Sequence, residues 1–549
     1  MSSDVNLVRI TNRLKKLNEI GIALSKEKDI NRLLELILEE AKSFTNADAG
    51  TLYMMVDDDT RLQYKIMRTD SLNFKLGGTA EPVPESIYPV KLFNPKTGEP
   101  NHNNVSAHSA ITGETINITD AYTADGFDFS GTKGFDEKHN YRSQSFLTVP
   151  MKNHENKVIG ILQLINAQDI SSKEIIPFSS ETQEDVESLA SQAALALTNR
   201  ILVDDLKQLL ESFIMTIADA IDRKSPYTGD HCRNVPKLTL MLADKVVEVK
   251  EGPYKDFVMD EDEKYELETA SWLHDCGKVT TPVHIVDKAT KLEAIFDRIE
   301  LIRTRFEVLK RDIEIDFLKS KFQLEKEEKS QSIVQLELET SDKLQSLQDD
   351  LDFIEKCNVG SEFMSDEFLK RIKLITTHYN WVEKGEKKSL IDENELENLS
   401  IRRGTLTAKD RKKINDHIVA TIEMLNNLPF PEQLKNVPLY AGGHHEHIDG
   451  SGYPNGKKGN EISIQERMMA IADVFEALTA PSRPYKKGYK LSKALDIISK
   501  MAGKDLDKDL VEIFIKTGVY KEYSRQYMNL SQVDEIDEEQ LLNRLTNNE

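Results

Sequence analysis

Cysteine is scarce in this chain. Cys232, Cys276 and Cys357 are its three cysteines in 549 residues, with no Cys-x-x-Cys pair, which leaves no disulfide framework and suits a reducing compartment. Long apolar runs are missing too, since none approaches the ~18 residues that a membrane-spanning helix needs. The stretch from Met1 to Lys28 is charged and amphipathic and lacks the apolar core of a signal peptide. These absences predict a cytoplasmic protein with no membrane association. Positive charge is in deficit, with 72 Lys and Arg against 94 Asp and Glu and a formal net charge of -22. That balance argues against general affinity for nucleic acid or an anionic membrane. An anionic substrate would have to be held by local positive charge, from metals or a few Lys and Arg. The length exceeds what one core supports, so two or three domains are expected.

The first third mixes helix and strand signals. Leu17, Ile20, Ile22, Leu33, Leu34, Leu36, Ile37 and Ala41 fall at helical spacing and predict two helices. Ala49 to Val56 reads as a strand, ended by an acidic turn at 57–59, with Leu62 to Met67 as its hairpin partner. Residues 68–140, rich in Gly, Pro, Asn and Thr, read as a ligand-side loop region with short elements. Ser145 to Met151 and Val158 to Asn166 form a second hairpin, and a helix follows from about Ser180 to Arg200. This order resembles a GAF domain, a small-ligand sensor, and the resemblance implies an α+β sensor over residues 1–200 with an unidentified small ligand. Cyclic-nucleotide-binding members carry Asn-Lys, then Phe, then Asp-Glu. Here Ala167 follows Asn166, and Thr182-Gln183 stand where Asp-Glu would follow Phe178, which speaks against cAMP or cGMP. A ligand-free dimerisation domain is the other reading.

Ser180 to Asp222 contains neither proline nor glycine, and Leu189, Ala193, Ala196, Val203, Leu206, Leu210, Phe213 and Ile217 recur at steps of three and four, broken once at Arg200. One long helix is expected to join sensor to effector across a connecting segment 201–222. It is also expected to pair with its copy as a coiled coil in a homodimer.

The effector is read from five segments. His231 follows the joint; then come His274-Asp275-Cys-Gly-Lys278, His417, the run His444-His445-Glu446-His447-Ile448-Asp449-Gly450-Ser451-Gly452-Tyr453-Pro454, and Asp473 in an apolar helix. Neutral imidazole is a good ligand for Fe, Mn, Ni or Zn. Adjacent histidines cannot share one helix face, but they converge on a metal where a helix ends. Buried Asp is rare unless paired or bound to metal, and five such segments together are hard to explain as packing. With Arg483-Pro-Tyr-Lys486 they resemble the HD-GYP family of HD phosphohydrolases over residues 205–292 and 404–525, which implies such a domain in two parts, 223–292 and 404–549. The resemblance implies an all-α metal-binding domain that hydrolyses cyclic di-GMP to linear pGpG or GMP. By that likeness His231, His274, Asp275 and Asp473 hold one metal and Asp275, His417, His444 and His445 another, with Asp275 bridging. Trinuclear members carry Glu four residues before the first histidine; Tyr227 stands there, so two divalent ions, Fe or Mn, are expected. Asp275 and Lys278 are assigned to catalysis, and Lys278, Tyr453, Arg483 and Lys486 to substrate. Lys278 would meet the phosphate or protonate the leaving oxygen, from one helical turn beyond His274. Tyr453 either contacts substrate or braces the turn. The alternatives are another cyclic dinucleotide such as cyclic GMP-AMP, or a catalytically silent module that binds a nucleotide or partner.

Family members run directly from a Lys-x-Gly-x-Leu-Thr segment into the helix of the middle histidine. Here Lys288 to Leu292 and Gly404 to Thr407 resemble its two halves, parted by an insertion at 293–403. Within it, Ile295, Ile299, Ile302, Phe306, Leu309 and Ile313, then Leu344, Leu347, Leu351 and Ile354, keep coiled-coil spacing and predict an antiparallel helical hairpin. A further helix is expected at Asp366 to Thr377.

Overall fold

Alternation along two strands decides how the first part of the chain is layered. Leu52, Met54, Leu162 and Leu164 point to one side of a sheet, while Tyr53 and Ile161 point to the other, as a period of two requires. The computed structural model describes residues 2–57, 59–224, 230–360, 363–480 and 488–547. They divide into two compact units, Met1–Leu209 and Leu210–Glu549.

The first unit opens with helices α1 (Ser2–Lys26) and α2 (Ile30–Thr45), the latter capped by the Asp29 carboxylate accepting from the Arg32 amide. Strands β1 (Ala47–Val56), β2 (Arg61–Thr69), β3 (Phe74–Gly77) and β4 (Val90–Lys91) follow, then α3 (Val105–Thr112), β5 (Ile116–Ile118), α4 (Ser130–His139), β6 (Phe146–Lys152), β7 (Val158–Gln168) and β8 (Ile175–Ile176). The sheet runs β3-β2-β1-β7-β6-β5, with β4 added at β2 and β8 at β7, and its paired strands are antiparallel. One face packs on α1, α2 and the start of α5 (Ser180–Lys224); the other carries α3.

Helix α5 is one continuous helix, but its apolar series does not stay on one face. Leu189 and Ala193 are fully buried in the first unit's core, whereas Val203, Leu206 and Phe213 are more than half exposed. Leu210 of the same series packs against the second unit's core, so exposed and buried members alternate along the predicted stripe.

The second unit is helical: α6 (His231–Glu248), α7 (Glu261–Leu273), a 3-10 segment (Cys276–Thr280) and α8 (Val283–Val286), then α9 (Ile299–Lys326) and α10 (Ser330–Asn358). Next come α11 (Asp366–His378), β9 (Asn380–Glu383), β10 (Glu386–Ser389), α12 (Glu393–Leu399), α13 (Ala408–Asn426) and α14 (Val437–Gly443). The chain ends with α15 (Ile464–Thr479), α16 (Leu491–Met501), α17 (Lys508–Lys516), α18 (Val519–Tyr527) and α19 (Glu538–Asn547). Capping boxes start α7 at Asp260/Glu263, α13 at Thr407/Asp410 and α15 at Ser463/Glu466. Each satisfies two end groups of a helix at once. Among the described residues no helix is long and apolar enough to cross a membrane.

Helices α9 and α10 form an antiparallel hairpin, tied by Arg303–Glu355 at 2.6 Å and Lys321–Glu337 at 2.9 Å. Ile302, Phe306, Leu347 and Ile354 make its seam. Ile295 does not belong to that seam: it precedes α9 and is 90% exposed. The β9–β10 hairpin carries no clear strand signal, because Glu386-Lys-Lys-Ser389 is fully polar and exposed. The two separated halves of the Lys-rich segment do meet. The Lys288 carbonyl accepts from Thr405 Oγ1 at 2.8 Å, and Lys288 Nζ donates to Asp410 Oδ2 at 2.9 Å.

Candidate metal centre

Three helix ends and two helix middles converge in the second unit. His231 is the first residue of α6; His274 and Asp275 follow the end of α7; His444 and His445 follow the end of α14. His417 and Asp473 lie within α13 and α15. The break that adjacent histidines need is therefore supplied by the end of α14 at Gly443.

Asp275 stands between two groups. Its Oδ2 lies 3.3 Å from His231 Nε2 and 3.2 Å from His274 Nε2, and its Oδ1 lies 3.2 Å from His417 Nε2. Asp473 Oδ1 is 3.1 Å from His231 Nε2 and 3.8 Å from His274 Nε2. His231, His274 and Asp275 form one set of ligand atoms within 4.8 Å of one another, and His417, His444 and His445 form a second.

The histidines are aimed by their other nitrogens. Nδ1 of His274 and His444 lies 2.7 Å from the carbonyls of Ser271 and Ala441, three residues back, and His417 Nδ1 meets the Ile414 carbonyl the same way. His231 Nδ1 meets the Glu476 carboxylate. Carbonyl and carboxylate oxygens only accept, so Nδ1 must donate and a neutral ring offers a lone pair at Nε2. The contacts to Asp275 then set acceptor against acceptor, an arrangement that a cation between them makes favourable. Asp275 Oδ1, His417 Nε2 and His444 Nε2 are also buried without a hydrogen-bond partner. Lone pairs of imidazole and carboxylate, orphaned and pointed at one another, fit divalent metal ions.

Electrostatics agree with that donor set. Burial pushes His445 down to about 4, and burial with the neighbouring His445 pushes His444 well below the usual value, so both rings are neutral at neutral pH. Burial also opposes charge on His231, but the Glu476, Asp275 and Asp473 carboxylates outweigh it and raise its pKa. Those carboxylates favour positive charge at this point, whether a proton or a metal supplies it. Asp275 and Asp473 are held well below the usual range despite burial, Asp275 by Lys278 and the histidines, Asp473 by His231 and its neighbours.

Lys278 does not share a helix face with His274. Helix α7 ends at Leu273, and Lys278 sits in the 3-10 segment, where residues three apart eclipse. Its ammonium therefore meets Asp275 Oδ2, with its side chain 24% exposed. Gly277 permits this path, because a Cβ there would overlap the His417 carbonyl of α13.

The Gly-Tyr-Pro turn is tied to the histidine pair. Glu446 accepts from the amides of Asn455 at 2.7 Å and Lys457 at 2.9 Å. A Cβ on Gly452 would overlap the backbone of His445, Glu446 and His447. The Tyr453 amide donates to the His445 carbonyl at 3.1 Å, and its ring centroid lies 4.9 Å from that of His445. The peptide before Pro454 is cis. Arg483, Lys486 and Tyr227 lie outside the described residues. Glu476 is a site residue that sequence reading passed over. Its signal was present: a carboxylate three residues after Asp473 shares that residue's helix face.

In the first unit, a cavity of about 230 Å³ is lined by Tyr53, Tyr64, Phe74, Phe135, Tyr141 and Gln163, among others. Asn166 lies outside that lining and is spent on structure. Its Oδ1 accepts from the Gln144 amide at 2.7 Å, and its Nδ2 donates to the Arg142 carbonyl at 2.7 Å.

Comparison with known proteins gives two matches to domain families. Residues 29–197 match the GAF domain and residues 394–510 match the HD domain. The second match contains His417, His444, His445 and Asp473, while His231, His274 and Asp275 precede it. A 3'3'-cGAMP-specific phosphodiesterase 3 of Vibrio cholerae is 40% identical over 96 residues, covering 17% of this chain and 20% of that protein. A cyclic di-GMP phosphodiesterase of Thermotoga maritima is 34% identical over 128 residues, covering 22% of this chain and 34% of that one. The chain thus spans between about a fifth and a third of the length of these relatives. Among solved structures, the GAF domain from an Acinetobacter phosphoenolpyruvate-protein phosphotransferase is 16% identical with a TM-score of 0.25, covering 35% of this chain and 97% of that one.

Proposed function

We propose, from the premise that this chain joins a GAF domain to an HD domain, that it is a metal-dependent phosphodiesterase that hydrolyses cyclic di-GMP to linear pGpG or GMP. The observation that carries this reading is Asp275, whose two carboxylate oxygens face different histidine groups across lone-pair contacts of 3.2–3.3 Å. One ion would be held by His231, His274, Asp275 and Asp473, the other by Asp275, His417, His444 and His445. Fe or Mn suits these donors. Bound there, two such ions supply Lewis acidity and a water that is nucleophilic at neutral pH.

The chain's own residues supply the rest. The Nδ1 contacts hold the imidazoles in one tautomer and orientation. Lys278, beside Asp275, either binds the phosphate or gives its proton to the leaving oxygen. Tyr453, beside His445, packs against the nucleotide or braces the turn. Arg483 and Lys486 neutralise phosphate charge in an otherwise acidic protein. A small ligand of the GAF domain would occupy the first unit's cavity and regulate turnover. The exposed face of α5 at Leu202, Leu206, Leu209 and Phe213, spaced four, three and four, suits pairing with a second copy in a cytoplasmic homodimer.

A second reading has its own support: one relative is named for 3'3'-cGAMP. The test is hydrolysis of cyclic di-GMP and 3'3'-cGAMP by full-length protein reconstituted anaerobically with Fe(II) or Mn(II), products being separated by chromatography. Preferential turnover of cyclic di-GMP supports the first reading. Preference for 3'3'-cGAMP moves the substrate, and no turnover of either with two metals bound overturns the phosphodiesterase.

A further inference from the structure

We infer that Lys224, the last residue of α5, is a positioning residue for this site: its ammonium clamps the turn that carries Lys278. The inference rests on the phosphodiesterase reading for its kinetic readout. Lys224 Nζ donates to the main-chain carbonyls of Lys278 at 3.1 Å and Thr281 at 2.7 Å, and it also meets the Val279 carbonyl. These carbonyls lie at the C-terminal end of the 3-10 segment, where unsatisfied peptide oxygens and the negative end of the peptide dipoles collect. One of the three belongs to Lys278 itself.

The other side of the same turn is fixed by α13. The Gly277 amide donates to Thr421 Oγ1 at 2.9 Å, and Thr421 Oγ1 donates to the His274 carbonyl at 3.3 Å. The segment from His274 to Thr281 is thus gripped from α13 at its start and from α5 at its end. A lysine serving solubility would extend into water; this one spends its donors on one short stretch of backbone. Helix α5 places Val186, Leu189 and Ala193 in the first unit's core and Ile214, Ala218 and Ile221 in the second's. The last turn of α5 therefore ends in a hydrogen-bonded hold on the turn of the lysine assigned to the phosphate. A shift of the end of α5 would move that lysine without touching a metal ligand.

The test compares Lys224→Met, Lys224→Arg and Lys278→Ala, and the double variant of the first and last, in full-length metal-loaded protein. A displaced reacting group costs about tenfold to about a hundredfold, so Lys224→Met should lower kcat by about tenfold while KM and metal content hold. Lys224→Arg, which still donates to carbonyls, should restore most of the loss. In the Lys278→Ala background Lys224→Met should cost nothing more, because residues acting as one unit are not additive. An equal loss with and without Lys278, or loss of metal along with turnover, overturns the positioning role. Hydrogen exchange of the 276–281 amides reads the clamp apart from catalysis. Faster exchange in Lys224→Met than in wild type supports it, and unchanged exchange overturns it. If wild type hydrolyses neither dinucleotide yet exchange responds, the phosphodiesterase reading fails and the clamp stands.

Discussion

Two clusters of buried polar side chains, one in each unit, are built from similar atoms and treat them in opposite ways. Around Asn166 the accounts close. Its amide serves Gln144, Ser145, Tyr141 and Arg142, the Tyr141 hydroxyl donates to Asp48 at 2.6 Å, and Asp48 accepts from Ser71 twice. Around Asp275 they stay open, with Asp275 Oδ1 and Nε2 of His417 and His444 buried and unbonded. Each such atom costs ~1–3 kcal/mol, so three in one place call for something to occupy them. A closed network holds a backbone in place, as at Asn166, whose φ of 57° few other residues would accept. An open one leaves lone pairs for a ligand.

The comparison breaks most sharply at Asp275. Asp275→Ala should abolish both ion sites and lower turnover by more than about a thousandfold, read by metal analysis beside dinucleotide hydrolysis. Retained metal and turnover would show that the open cluster is not the centre. Glu476→Gln tests the aiming of His231. Loss of an outer carboxylate partner typically costs ~10–100-fold in metal affinity, so Kd should rise in that range while the unfolding midpoint barely moves.

The closed cluster should respond the other way. Asn166→Ala removes several hydrogen bonds and places alanine at a positive φ, so the first unit should lose about 2–3 kcal/mol with metal content unchanged. Denaturant unfolding measures the first and metal analysis the second; a drop in metal content would show that the two clusters are not independent. A pH-dependent effect concerns Lys291, which is 1% exposed and donates to the carbonyls of Leu399 and Ile401. Burial lowers its pKa to about 8, below the unfolded value, so the unfolded chain holds the proton more tightly. Stability should therefore rise with pH from about 8 to about 10.4, by at most ~1.4 kcal/mol per pH unit. Lys291→Met should flatten that rise in pH-dependent unfolding.

Much of this was legible in the sequence for a local reason. The main strands of the first unit follow from short apolar runs bounded by turn residues, and the starts of α7, α13 and α15 carry Asp-x-x-Glu, Thr-x-x-Asp and Ser-x-x-Glu at fixed spacing. The pairing of His444 with His445 demanded a helix end, and α14 provides one. Such signals span a few residues, and the chain carries them wherever it goes.

Tertiary structure decided what depends on partners far along the chain. That Asp275 stands between His231 and His417, 44 and 142 positions away on either side, depends on how α6, α7 and α13 pack. That Lys278 meets Asp275 depends on a 3-10 turn, which Gly277 allows by its contact with α13. Which members of the α5 repeat are core and which are open surface was hidden in the sequence, because the same spacing holds for buried Leu189 and exposed Leu206 and only the neighbours differ. Local spacing names the chemistry of a residue; which atoms it touches is settled by packing, and the unpaired oxygen and nitrogens at Asp275, His417 and His444 exist only once five helices close around them.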